Sequence, residues 1–217
     1  TKSEFRAGVP ALAEAITPAT KVLLLNSPHN PSGIVFSFEE LSAITALVNT
    51  HNLFVISDEA YEHLWFDSNR HIPISTLPGM FERTITIGSG GKCFSFTGWK
   101  VGWASGPRAL ITAVKAVRQH LSYVSGGPFQ LAIAHGLGLP DQYFTELRQD
   151  LGVKRDQLSA ELAQMGMRVI PTEGTYFVTT DISPLGYTDG FEFARMLAKK
   201  CQVVAIPHQV FTESGQD

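Results

Sequence analysis

Short, unbroken apolar runs alternate along this chain with longer amphipathic stretches, and that alternation constrains its fold most. Runs such as Val22-Leu-Leu-Leu25 and Leu53-Phe-Val-Ile56 have the length of buried strands and are far too short to cross a bilayer. Strands are expected at 21–25, 53–57, 84–88 and 100–104, each followed by turn or loop chemistry. Between them, 38–51 reads as a helix: Ser37 is placed to cap it, Glu39 and Glu40 fall in its first turn, and Leu41, Ile44, Leu47 and Val48 recur at helical spacing. A second helix is expected over 107–120, opened by Pro107. The pattern predicts an α/β protein with a largely parallel, doubly covered sheet.

The texture changes near residue 141. A long charged helix over 141–165 precedes strands near 167–171 and 175–180, a helix at 189–200 and a strand at 203–206. This βαβ-like tail predicts a smaller domain at 139–217, following a larger one at 1–138. The break at Gly126-Gly127-Pro128 falls within the helical connection.

Composition excludes several classes. Hydrophobic residues make up 44% and charged residues 17% of 217 residues, which suits a folded soluble protein of cytoplasmic type. A net charge of −3 with no basic stripe gives no reason to expect nucleic acid. No membrane partner is expected, and no basic, apolar leader opens the chain. The two cysteines, Cys93 and Cys201, form no disulfide framework. An opening at Thr1-Lys2-Ser3 without Met, and a close at Ser214-Gly-Gln-Asp217, suggest a piece of a longer protein.

Three polar clusters follow predicted strands: Asn26-Ser-Pro-His-Asn-Pro-Ser-Gly33, Ser57-Asp-Glu-Ala-Tyr61, and Gly88-Ser-Gly-Gly-Lys92 with Thr97-Gly-Trp-Lys-Val-Gly102. Ligands of open parallel sheets bind beyond the carboxyl ends of the strands, so the clusters are candidates for one site. Ser89, Gly90 and Gly91 before Lys92 would let the backbone approach an anion closely. The spacing fits neither a Walker loop nor a dinucleotide fingerprint, because Thr86 and Cys93 stand where those motifs need other residues. Each residue taken singly has an ordinary alternative. Lys92 could be a solvated turn lysine, Asp58 a turn or capping carboxylate, Tyr61 a core aromatic and Asn30 a turn residue. Cys93 has no His or second Cys at a motif spacing, which argues against a redox or nucleophilic role. The seven histidines show no metal pattern, so no metal is expected, and His63 and His71 are expected in surface or loop positions.

Taken together, Asn26-x-Pro-x-Asn-Pro-Ser-Gly33, Asp58-Glu-x-Tyr61, and Ser89-x-x-Lys92 with Thr97-Gly-Trp-Lys-Val-Gly102 resemble the class I and II aminotransferases across essentially the whole chain. These are pyridoxal 5'-phosphate (PLP) enzymes of fold type I. Glu173-Gly-Thr-Tyr-Phe177 and Val204-Ala-Ile-Pro207 resemble small-domain strands of the kynurenine/glutamine/methionine branch. Leu121 to Gln130 resembles bacterial N-succinyldiaminopimelate aminotransferases. The resemblance implies a mostly parallel large domain and a smaller α+β C-terminal domain, both incomplete here. It also implies a homodimer acting on amino acids and 2-oxo acids by a ping-pong route.

By the same resemblance, Lys92 forms the Schiff base with PLP and carries protons, while Asp58 pairs with the pyridine nitrogen. Asn30 and Tyr61 hydrogen-bond the ring's phenolic oxygen, and Ser89 and Lys100 hold the phosphate, Lys100 as a point charge instead of a fork. The family's glycine-rich helix start and ring-stacking aromatic would precede Lys21, and its carboxylate-clamping arginine would follow Asp217. The 217 residues alone are therefore expected neither to hold PLP tightly nor to transaminate. The same scaffold also admits C–S β-elimination or a catalytically silent domain, and a nucleotide-binding module is the rival outside the class.

Overall fold

The computed structural model describes residues 6, 8–124 and 126–212. The opening Thr1-Lys2-Ser3, the closing Ser214-Gly-Gln-Asp217 and Ser125 of the 121–130 stretch lie outside the described residues. A short helix, α1 (Val9–Ala15), leads into β1 (Val22–Asn26). Helix α2 (Phe38–Thr50) starts where Ser37 and Glu40 form a reciprocal capping box, each side chain accepting from the other's backbone N–H. Strands β2 (Phe54–Asp58) and β3 (Thr84–Ser89) follow, then one helical turn, α3 (Gly90–Cys93), and β4 (Gly102–Ser105).

The sheet runs in the order β1-β2-β3-β4. The first three strands are parallel, with Asn26 opposite Asp58 and Asp58 opposite Ile87, and β4 is antiparallel to β3 with Gly102 opposite Ser89. The chain therefore brings the ends of β1, β2 and β3 and the start of β4 to one edge, as the three polar clusters predict.

One face is packed and the other is not. Leu25 and Val55 join Leu41, Ile44 and Val48 of α2, with Ile74, Leu77 and Met80 from the following loop, in the main core. Alternation along each strand sends Val22, Leu24 and Phe54 to the opposite face, where they are exposed. Among the described residues nothing buries these three side chains, so the double cover expected of the sheet is seen on one face of β1 and β2 only.

Beyond the sheet come α4 (Arg108–Leu121), α5 (Gly127–Gly136) and α6 (Asp141–Gln164). Pro107 is the N-cap of α4 instead of its first residue, and Gly126, in the left-handed region, starts α5 at the predicted break. A second core of Cys93, Phe94, Ile133 and Phe144 ties α3, α5 and α6 together.

In the tail, β5 (Arg168–Ile170) pairs antiparallel with β6 (Thr179–Asp181), and α7 (Gly190–Met196) continues as a π-helical turn to Cys201. The strand expected at 203–206 does not form. Val203, Val204 and Ile206 are exposed, and a segment without a neighbouring strand has nothing to satisfy its backbone N–H and C=O groups as a ladder.

The strand expected at 175–180 is also shorter, for a different reason. Residues 173–175 leave the pair to clasp the larger sheet region. Gly33 O accepts from the Glu173 and Gly174 N–H groups, and Leu64 O accepts from Thr175 N. At Gly33, with φ of +71°, any Cβ would lie 2.8 Å from the Thr172 methyl, so only glycine permits this clasp.

Candidate active site

The expected residues fall at the carboxyl edge of the sheet, each placed by a distinct local device. Asn26 ends β1, and its side chain donates to Asp58 O (2.9 Å) while its Oδ1 accepts from Asn30 N (2.9 Å). Asn30 is exposed above that bond. Asp58 ends β2 on the open face and is half-buried. Its Oδ1 accepts from Ala60 N at 3.1 Å, an Asx-type turn. Among the described residues no cation pairs with it.

The next residue faces the other way. Glu59 is 1% exposed, and it accepts from Ser57 Oγ (2.8 Å) and meets His71 Nε2 at 2.9 Å. His71 is in a loop as expected, but buried instead of at the surface, because a buried carboxylate needs such a partner. His63 lies in a turn, as expected, and is half-buried. Its ring stacks on Phe144 at 3.9 Å between centroids, and burial, reinforced by Arg148, pushes its pKa down to about 4.

Tyr61 is buried at 3% exposure. Burial first, then its contact with Tyr176, then the Asp58 charge, hold its hydroxyl protonated well above the usual tyrosine range. Lys92 rides on α3, and its Nζ donates to Tyr176 Oη at 2.8 Å. That Nζ also lies 5.4 Å from the ring centroids of both Tyr61 and Tyr176. Lys92, Tyr61 and Asp58 are therefore brought together, with Tyr176 as a fourth member that the sequence reading missed. Its only signal there was an aromatic within Glu173-Gly-Thr-Tyr-Phe177.

Other expectations are sharpened. Gly90 and Gly91 are also demanded by packing: a Cβ on Gly90 would meet Ile133 at 2.5 Å, and one on Gly91 would meet Thr97 Cα at 2.8 Å. Ser89 is the N-cap of α3 and uses no side-chain cap bond, which leaves its hydroxyl available. Lys100 is exposed, in the left-handed region at φ 54°, and among the described residues makes no hydrogen bond or ion pair. Its position just before β4 puts it at the same edge as Ser89.

Cys93 is buried and pushed up to about 12, by burial first and then by Glu62. It is therefore a thiol at neutral pH, not a nucleophile. Donor atoms of Glu62, His63 and Cys93 do lie within 4.8 Å of one another, a juxtaposition that sequence spacing could not show. A surface hollow lined by Thr17, Lys21, His51 and Asn52 sits at the opposite end of the strands and contains none of the candidate residues.

The donor set suits PLP. A carboxylate lacking a cation matches a protonated ring nitrogen, a neutral phenol and an amide match the ring oxygen, an amine matches the aldehyde, and a hydroxyl with a free lysine matches a phosphate. The mostly parallel sheet with this set at its carboxyl edge has the fold of the PLP-dependent transferases of fold type I.

Comparison gives the family. The description "Aminotransferase class I and II" matches residues 1–216, and the chain belongs to that family, whose cofactor is PLP. It is 49% identical to a probable N-succinyldiaminopimelate aminotransferase, DapC, of Mycobacterium tuberculosis, over 96% of this chain and 53% of that protein. It is 38% identical to mouse kynurenine–oxoglutarate transaminase 3, over 99% of this chain and 50% of that protein. The solved N-succinyldiaminopimelate aminotransferase of M. tuberculosis superposes with a TM-score of 0.92 at 49% identity, covering 95% of this chain and 54% of that one. Escherichia coli YbdL, described with a methionine aminotransferase function, superposes with a TM-score of 0.90 at 33% identity, over 98% and 56% of the two chains. The chain spans about half the length of the curated relatives it matches.

Proposed function

We propose that the full-length protein is a PLP-dependent aminotransferase and that this chain supplies its lysine, its ring-nitrogen carboxylate and part of its phosphate clamp. The observation that carries the reading is the amine of Lys92 beside buried Tyr61, at the same sheet edge as the carboxylate of Asp58, which pairs with no cation among the described residues. Bound PLP would supply an aldehyde for amino-group attachment and a ring that draws off the electron pair left when a Cα–H bond breaks.

The chain's own groups do the rest. Asp58 would face the ring nitrogen with its carboxylate, favouring the protonated form of that nitrogen. Tyr61, held neutral, donates its hydroxyl proton. Asn30 offers its amide beside it, and Ser89 and Lys100 offer a hydroxyl and a charge to phosphate. Lys92 Nζ would accept the proton from the substrate Cα and deliver it to the cofactor's C4′, two bonds away across the amino nitrogen.

We assign residues 1–138 to the PLP-binding domain and 139–217 to the small domain. The 217 residues alone should neither hold PLP tightly nor transaminate. Amino acids and 2-oxo acids are the substrates. N-succinyldiaminopimelate is the first donor to test, on the strength of 49% identity, with kynurenine and methionine next. A homodimer accords with the apolar surface of Val117, Leu121, Val124 and Leu131, all exposed. A cytoplasmic location is part of the proposal; among the described residues no helix is long and apolar enough to cross a membrane. Borohydride reduction of the PLP-loaded full-length protein, followed by peptide mapping, tests the core of the proposal. The phosphopyridoxyl mass is expected on Lys92, and its appearance on another lysine would refute the assignment.

A further inference from the structure

Tyr176 stands 84 residues from Lys92 in sequence, yet its hydroxyl is the group that Lys92 Nζ touches, at 2.8 Å. Several features aim it there. The preceding residue, Thr175, is fully buried and lies at φ 68°, a conformation that a β-branched residue adopts only when its surroundings impose it. Those surroundings are on the page: Gly33 O and Leu64 O hold the backbone of 173–175, and Phe66 N donates to Glu173 O. Phe177 N donates to Thr175 Oγ1 at 3.3 Å, closing the turn. The edge of the Tyr61 ring meets Tyr176 with centroids 5.4 Å apart, and the two hydroxyls are 3.5 Å apart. Backbone strain of this kind, next to a reacting group, points toward function.

We infer that Tyr176 is a positioning residue for Lys92: a phenol that seats the lysine amine whenever it is not bonded to another group. This rests on the reading of Lys92 as the PLP-attaching lysine. A phenol suits the task because it accepts from an ammonium and donates to a neutral amine without moving. A segment of the smaller domain thereby sets the aim of the larger domain's lysine.

The test separates the lysine from the pocket. Cofactor-free full-length protein is mixed with PLP, and covalent capture is followed by absorbance. Pyridoxamine 5'-phosphate, which has no aldehyde for a lysine to attack, reports the pocket alone. Tyr176→Phe should slow capture about tenfold, the loss expected when the phenol no longer orients the attacking amine, and leave pyridoxamine phosphate affinity within about twofold. Tyr176→His, which restores a polar partner, should recover capture to within about threefold of wild type.

Capture by Tyr176→Phe at the wild-type rate overturns the inference, and so does equal loss of capture and of pyridoxamine phosphate binding. Should Tyr176→Phe not fold, Tyr176→His carries the test alone, and a tenfold loss of capture in that variant overturns the inference. Failure of the underlying reading looks different: Lys92→Ala would then still capture PLP covalently, whatever stands at 176.

Discussion

On one face of the four-stranded sheet Leu25 and Val55 are buried at 6% and 0% exposure, while on the other Leu24 and Phe54 stand at 69% and 47%. The contrast continues to the strand's end, where it divides two adjacent carboxylates. Glu59 points into the packed side, with Ser57 and His71 satisfying its oxygens. Asp58 points to the open side, with a backbone N–H and no cation among the described residues. Buried charges persist only when paired or hydrogen-bonded, so Glu59 belongs to the folded chain itself. A carboxylate left without a cation on a half-covered face is available to a ligand. The difference between these neighbours comes from the two-residue period of a strand, not from their chemistry.

Exchanging the roles of the two residues is the strongest way to break this comparison. Glu59→Ala should destabilise the cofactor-free full-length protein by about 3–5 kcal/mol, the cost of leaving a buried pair half empty. Asp58→Asn should change stability by less than about 1 kcal/mol yet lower amino-transfer kcat at least about a hundredfold. Urea unfolding and single-turnover assays read the two effects. A stable, inactive Glu59 variant with an unstable, active Asp58 variant would reverse the assignment. A smaller contrast is expected one turn of the pleat away. In the 217-residue chain Leu25→Ala should cost about 2–4 kcal/mol, and Leu24→Ala no more than about 0.5 kcal/mol. Equal costs would mean that the second face is also covered.

Much of this was legible in the sequence. Apolar runs located β1 to β4 within two residues, and Ser37 with Glu40 marked the start of α2, because strands and caps are written locally. The joint spacing of Asn30, Asp58, Tyr61 and Lys92 located the edge of the site. The misses share a cause. The tail segment 203–206 has strand composition, but its pairing depends on a neighbour that the described residues do not supply. Tyr176 reaches Lys92 only because 173–175 leave β6 to clasp Gly33 and Leu64, a contact that spans more than a hundred residues. Glu59 carried a usable signal: in strand alternation it shares the face of Val55 and Ser57, so it had to be buried and paired. The partner, His71, lies in an irregular loop and has no periodicity to reveal it.

The second core, away from that comparison, also predicts a pH response. His63 lies against Phe144, and its folded pKa of about 4 is below its ordinary value of 6.5. Between those values the unfolded chain binds the proton and the folded chain resists it, so unfolding takes up protons and stability rises with pH. The contribution is complete above pH 6.5 and is lost as pH falls toward 4. His63 keeps 28% exposure, so water remains in reach of the protonated ring and the change is expected to be about 1–2 kcal/mol. Other carboxylates titrate in the same window, notably Glu62, which burial and Glu59 hold above the usual carboxylate range. The useful measurement is therefore the stability difference between wild type and His63→Phe, which keeps the stacked ring and removes the proton site. That difference should grow in favour of the variant from pH 6.5 to pH 4. A flat difference would mean that the His63 ring is solvated when folded and that the packing around Phe144 is looser than the 3.9 Å stack requires.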